Sequence, residues 1–248
     1  MKIGIIGTGN IGGTIARKMA AVGHEVRVAN SKGVEGVRAF AEEVGAQPVD
    51  VDGAVNGVDV IILSIPLPAL EALPSDLLKD VPLSVPVVDT SNYYPGLRDP
   101  HISELEAGMP ESLWVSRQLG RPVVKAFNNI LAYSLEKLGQ PEGTPRRLAV
   151  AVAADDQEAK SVVMSLVSQA GFDPVDGGTL EESWRQQPCT PGYCCDFDAE
   201  AMKQGLASAV KGHAEAIRDA LPKHFARLGA SPTHADIVSM NREMNTVD

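Results

Sequence analysis

The chain has 248 residues, enough for one large domain or a domain with a smaller appendage. A formal net charge of −10 argues against nucleic acid or an anionic membrane as the main partner, and aromatics at 4% are too few for a base-stacking platform. No apolar stretch reaches the roughly 18–20 residues of a membrane span. No export signal precedes the first strand, and three cysteines make no even disulfide framework, so a cytoplasmic chain with free thiols is expected.

The first two-thirds alternates short β-branched runs with helical patterns, which predicts an α/β fold with a mostly parallel, doubly wound sheet. "KIGIIG" predicts the first strand, and "GNIGGTIARKMAAVG" a helix with Ile11, Ile15, Met19 and Val22 on one face and Gly23 as its stop. "HEVRVAN" is the second strand and "VEGVRAFAEEVG" the second helix, again closed by a glycine. A short strand follows at "AQPVDV". "VDVIILSIP", "VPVVDTS" and "RPVVKAFN" are near-continuous apolar runs of the kind buried on both faces. "RRLAVAVAA" and "FDPVDGG" predict a final pair around the helix "DQEAKSVVMSLVSQAG". From about Glu181 the periodicity breaks at "QQPCTPGYCCDFD". One long helix, ended or kinked at Pro222, then runs into a polar tail expected to be frayed or packed on a partner chain. This predicts two parts: residues 1–180 as a nucleotide-binding domain and residues 181–248 as a helical region for substrate binding or oligomerisation.

Gly7-Thr8-Gly9-Asn10-Ile11-Gly12 fits G-x-G-x-x-G between a strand and a helix that leads to a second strand, the context this motif requires. Gly7 allows the tight turn, Gly9 lets the backbone approach a pyrophosphate, and Gly12 lets the helix pack closely on the strand. Free N–H groups and the helix dipole then hold the negative charge. About 20 residues on, an NAD enzyme places Asp or Glu against the ribose hydroxyls. Asn30, Ser31 and Lys32 stand there instead. A carboxylate would repel a 2′-phosphate, whereas Ser31 donates a hydrogen bond and Lys32 a point charge. This predicts NADP as the cofactor, with Arg38 further along as an additional cation; a solvated turn lysine is the alternative reading of Lys32.

Taken together, "IGIIGTGNIGGTIARKMAAVGHEVRVANSKG", "VIILSIP", "VVDTSNYY", "VVKAFNNI" and "VVMSLVSQAGFDPVDGGTL" resemble the NADP oxidoreductases that act on the deazaflavin coenzyme F420. The resemblance runs over about residues 2–180. It implies that Ser31 and Lys32 bind the 2′-phosphate and that Thr8, Asn10 and Ile11 contact the pyrophosphate and its ribose. It also implies that Ser64, Ile65 and Pro66 line the dinucleotide and that Asn128 lies near the nicotinamide. Members of that family pass a hydride between nicotinamide and deazaflavin, a transfer that needs two rings face to face and less from acid–base side chains. The five histidines form no obvious constellation, and no catalytic residue is assigned.

Other candidates are more ambiguous. Adjacent Cys194 and Cys195 with Cys189 have poor spacing for zinc, so no metal is expected. Trp184, Arg185 and Tyr193 are candidates for clamping a flat or anionic substrate. Asn92, Tyr93 and Tyr94 follow a strand at the carboxyl edge and read equally as site loop or structural turn. Lys125 either faces the cleft or pairs with a carboxylate. The resulting expectation is an NADP(H)-dependent oxidoreductase, a homodimer, taking a small-molecule substrate or redox cofactor such as F420 or another flavin-like acceptor. A β-hydroxyacid or imine reductase is the alternative enzyme, and a non-catalytic NADP-binding sensor the alternative of another class.

Overall fold

The computed structural model describes residues 1–245. The apolar runs form six parallel strands: β1 (Lys2–Ile6), β2 (Glu25–Ala29), β3 (Gln47–Pro48), β4 (Val60–Leu63), β5 (Val87–Asp89) and β6 (Val124–Lys125), in the sheet order β3-β2-β1-β4-β5-β6. Parallel neighbours need crossovers, and α1 (Asn10–Ala21), α2 (Gly33–Val44) and α3 (Val51–Val55) supply the first ones. The order reverses between β1 and β4, so their carboxyl ends flank the switch point where open α/β sheets bind ligands.

Strand alternation sorts the core into two layers. Ile3, Ile5, Val60 and Ile62 pack with Ile15 and Met19 of α1 on one face. Ile6, Ile61, Leu63 and Val87 join a second cluster on the other. Gly4 lets that second layer approach, since a Cβ there would lie 1.6 Å from the Ala54 carbonyl oxygen. Between β5 and β6 the chain makes α4 (Ser103–Glu106) and α5 (Glu111–Leu119), whose Trp114 and Val115 complete the second cluster.

After α6 (Ala132–Lys137), β7 (Ala149–Val152) and β8 (Asp173–Asp176) form their own parallel pair around α7 (Gln157–Gln169). This pair is joined to the main sheet by one antiparallel bridge, in which the backbones of Lys125 and Ala153 exchange hydrogen bonds of 2.9 and 3.0 Å. Three helices follow: α8 (Ala199–Ser208), α9 (His213–Arg227) and α10 (His234–Met244).

The expected single long helix is two. It breaks at 209–212, where Gly212 adopts φ 92°, while Pro222 sits inside α9 without ending it. The tail also differs from expectation. α10 starts with a capping box between Thr233 and Asp236 and buries Val238, Met240, Asn241 and Asn245 against its own chain. Residues 246–248 of that tail lie outside the described residues.

Candidate functional site

The glycine loop is built by crowding on two sides and openness on the third. Gly7 is held at φ 104°, its N–H donating to the Ala29 carbonyl at 2.8 Å, and a Cβ would fall 2.2 Å from the Ser64 carbonyl oxygen. At Gly12 a Cβ would lie 2.0 Å from the Gly7 carbonyl oxygen. Both are glycine because the protein itself leaves no room. Gly9 is different: its φ is −75°, and an added Cβ would meet nothing within 4 Å. Among the described residues it is the one glycine that combines an ordinary φ with open space on its Cβ side. As the N-cap of α1 it leaves backbone N–H groups open to an anion, in the geometry a pyrophosphate uses. The open position therefore fits a dinucleotide. Thr8, Gly9, Asn10, Arg17, Tyr133 and Glu136 border a cleft of 410 Å³ beside it.

Asn30 ties the end of β2 to this loop. Its Nδ2 donates to Thr8 Oγ1 at 3.0 Å, and its Oδ1 accepts the Lys32 N–H at 2.9 Å. Ser31 and Lys32 are exposed on the turn into α2. Gly36 makes room for the Lys32 stem, because a Cβ there would lie 2.3 Å from Lys32 Cβ. Arg38 is engaged elsewhere, hydrogen-bonded to Glu35 on the exposed face of α2.

Ser64, Ile65 and Pro66 leave the end of β4 at the switch point, where the Ser64 hydroxyl accepts from Thr90 Oγ1 at 3.1 Å. Asn128 follows β6, but its amide is saturated by the protein. Nδ2 donates to Asn92 Oδ1 at 3.1 Å and to the Gln186 carbonyl at 2.7 Å, and Oδ1 accepts from Gln186 Nε2 at 2.9 Å. Asn92 Nδ2 returns a bond to the Asn128 carbonyl at 2.9 Å. Asn128 thus positions the loops after β5 and β6 and fastens the 183–196 segment beneath them.

Beneath this edge lies a fully buried charged cluster. Lys125 Nζ is 3.3 Å from Asp89 Oδ2, 3.4 Å from Glu111 Oε2 and 2.5 Å from the Ser91 carbonyl oxygen. Lys125 is 0% exposed, Asp89 2% and Glu111 3%. Asp89 also accepts from Ser112 Oγ at 2.6 Å and the Ser91 N–H at 2.9 Å, while Glu111 accepts the Tyr93 N–H at 3.1 Å. Burial pushes the Glu111 carboxyl above the ordinary carboxylate range, and Lys125 opposes that shift. Lys125 accordingly pairs with carboxylates rather than facing open solvent. Glu111 was not foreseen from sequence. As the first residue of α5 it has the signature of an ordinary acid at an exposed helix start.

In the 183–196 segment Trp184 and Arg185 are half-buried and Tyr193 is buried. The Tyr193 hydroxyl is hydrogen-bonded to that of Tyr94; burial pushes both phenols well above their ordinary value. The Arg185 guanidinium lies 4.6 Å over Trp184 and donates to the Leu206 carbonyl at 3.2 Å, pinning the end of α8. Burial raises the Cys189 and Cys195 thiols to about 12, which leaves them neutral and weakly reactive. Phe127, Cys189, Cys194 and Asp196 all adopt positive φ (59°, 67°, 55° and 49°), a local cost of about 1–3 kcal/mol each that the surrounding bonds must outweigh. Asp196 is held by Ser134 Oγ at 2.6 Å and by His234 Nε2 at 2.7 Å, so that histidine anchors α10. No group of three metal-ligating side chains occurs among the described residues, and no helix there is long and apolar enough to cross a membrane.

Comparison with known proteins places the chain by family and fold. The family model described as NADP oxidoreductase, coenzyme F420-dependent, matches residues 2–93. The Escherichia coli (strain K12) protein YjhV is 51% identical over 105 residues, which span 42% of this chain and 77% of that protein. A crystal structure of protein SMa0349 from Sinorhizobium meliloti superposes with a TM-score of 0.59 at 29% identity, covering 73% of this chain and 86% of that one. A structure from Arthrobacter sp. FB24, provisionally described as an F420-dependent NADP-reductase, has the same coverages, with a TM-score of 0.56 at 23% identity, and supports the fold alone.

Proposed function

Because the chain belongs, through its N-terminal region, to the NAD(P)-binding family of coenzyme F420-dependent NADP oxidoreductases, we propose that it is an NADP(H)-dependent enzyme. It transfers a hydride between the nicotinamide and a flat second substrate such as coenzyme F420 or another flavin-like acceptor. The observation that carries this reading is Gly9. Its open Cβ position at the α1 N-terminus has no internal explanation and suits a pyrophosphate. The dinucleotide, when bound, supplies the hydride donor or acceptor carbon. Thr8, Gly9, Asn10 and Ile11 hold its phosphates, and Asn30 fixes the turn that presents Ser31 and Lys32 to a 2′-phosphate. Ser64, Ile65 and Pro66 line its path toward the edge that Asn128 and Asn92 organise. In this reading residues 1–180 hold the nucleotide, and residues 181–248 complete the second-substrate side and the contact of a homodimer.

Fluorescence titration with NADPH and NADH tests the cofactor assignment; equal dissociation constants would sink it. A small carbonyl or imine acceptor is the second reading. It is favoured by the small space of 40 Å³ bordered by Tyr93, Glu111, Trp184 and Arg218, which is too small for a tricyclic ring. NADPH oxidation with semialdehydes or cyclic imines but not with a deazaflavin would select it. Tight NADPH binding without turnover on any acceptor would select the sensor instead.

A further inference from the structure

The buried cluster beneath the carboxyl edge holds two carboxylates for one ammonium. Asp89 and Lys125 end β5 and β6, and Glu111 opens α5 beside them, with all three at most 3% exposed. A net negative charge sealed in low dielectric is costly, so a proton is retained unless a positive charge arrives nearby. Glu111 is the group that retains it. Asp89 receives three donors, whereas Glu111 receives a long contact from Lys125 and one backbone N–H. The remaining charged groups across the small cavity are Glu215, Arg218 and Lys211, with Arg218 paired in turn with Glu106 and Asp219, so together they bring no net positive charge. Tyr94 and Cys189, also nearby, are neutral. Ser91 adds a buried hydroxyl with no partner, one residue before Asn92 and bonded through its carbonyl to Lys125.

We propose that Glu111, with Lys125 and Asp89, is a proton site tied to the redox state of the bound nicotinamide: protonated when the ring is neutral and deprotonated when it is cationic. This rests on the nucleotide reading above. The charges balance. With NADPH the ring would be neutral and the cluster neutral. With NADP⁺ the ring would be positive and the cluster would carry −1, the proton having passed to solvent. In turnover, the hydride takes an electron pair and one proton from the cofactor carbon to the acceptor carbon. The proton released by Glu111 equals the one that the acceptor's heteroatom takes up. Glu111 is a positioning and charge-matching residue here, since it does not touch the substrate.

The test is calorimetric titration of the whole protein with NADP⁺ and with NADPH, each in phosphate and in Tris near neutral pH. The apparent heats report protons exchanged with buffer. The result expected is release of about one proton per NADP⁺ and none per NADPH, with the difference abolished in Glu111→Gln. Equal proton counts for the two nucleotides in the wild-type protein, or a difference that survives in Glu111→Gln, would overturn the proposal while leaving nucleotide binding intact. Absence of binding heat for both nucleotides would overturn the nucleotide reading and this proposal with it. Should Glu111→Gln not fold, isotope-edited infrared spectroscopy of glutamate-labelled wild type reads the same event. A protonated carboxyl band present with NADPH and lost with NADP⁺ supports the proposal, and a band unchanged between them overturns it.

Discussion

The two ends of the carboxyl edge are built by opposite means. At β1 and β2 a run of about 30 consecutive residues makes the site from backbone: crowded glycines, one open glycine and a short polar turn. At β5 and β6 the edge is made from side chains that come from distant segments, with Asn92, Asn128 and Gln186 interlocked above Asp89, Glu111 and Lys125. The first end is stabilised by what is missing, the second by bonds that must all be present. One tolerates little added volume, and the other tolerates little lost charge.

Lys125→Met tests that contrast most severely. It leaves the buried Asp89 carboxylate without its counter-charge, and a loss of about 3–5 kcal/mol in chemical denaturation is expected. Partial recovery in Lys125→Met combined with Asp89→Asn would confirm charge, not shape, as the cause. At the other end, Gly12→Ala drives a methyl into the Gly7 carbonyl and should cost about 1–3 kcal/mol of stability. Gly9→Ala adds the same methyl to open space. Its melting temperature should match wild type while NADPH binding weakens roughly tenfold or more, about 1.4 kcal/mol. If Gly9→Ala binds normally, the openness at Gly9 has no ligand to explain it. Lys32→Glu should weaken NADPH by roughly tenfold and leave NADH almost unchanged, read by the same titration.

The smallest effect is one of pH. Burial raises the Glu111 carboxyl in the folded chain, so between its ordinary and its raised value the native state binds more protons than the unfolded state. Its contribution to stability is therefore present below the ordinary carboxylate value and falls as pH rises through the raised one. Denaturation midpoints across that window should slope downward in wild type and flatten in Glu111→Gln.

The contrast also explains what the amino-acid order revealed. Ile3, Ile5, Val60 and Ile62 alternate in local patterns, and the glycine spacing lies within six residues, so strands, helices and the nucleotide loop were legible. Lys125 was legible only as a lysine in an apolar strand. Its partners lie 36 and 14 residues away and carry no local signature. The same holds for Tyr193 and Arg185. As residues of a proline- and glycine-rich stretch they read as candidates for clamping a substrate, and their bonds to Tyr94 and the Leu206 carbonyl carry no local signature either. The break between α8 and α9 has a weak local signature: Pro222 is the obvious helix breaker yet sits inside α9, while the left-handed backbone at Gly212 makes the turn.

The bond from the Cys194 N–H to the Asn129 carbonyl, 3.0 Å long, has a kinetic side. With Ser134 to Asp196 and Asn241 to the Cys194 carbonyl it joins segments 62 and 47 residues apart. Loop-closure entropy must be met before such contacts give anything back, whereas β1, α1 and β2 need only neighbours along the chain. The β1–β2 pairing, which spans only residues such as Lys2 and Glu25, is thus expected to form before the clasp around Asn129. Native-state hydrogen exchange should find that same clasp among the first regions to open, well before the β1–β4 ladder.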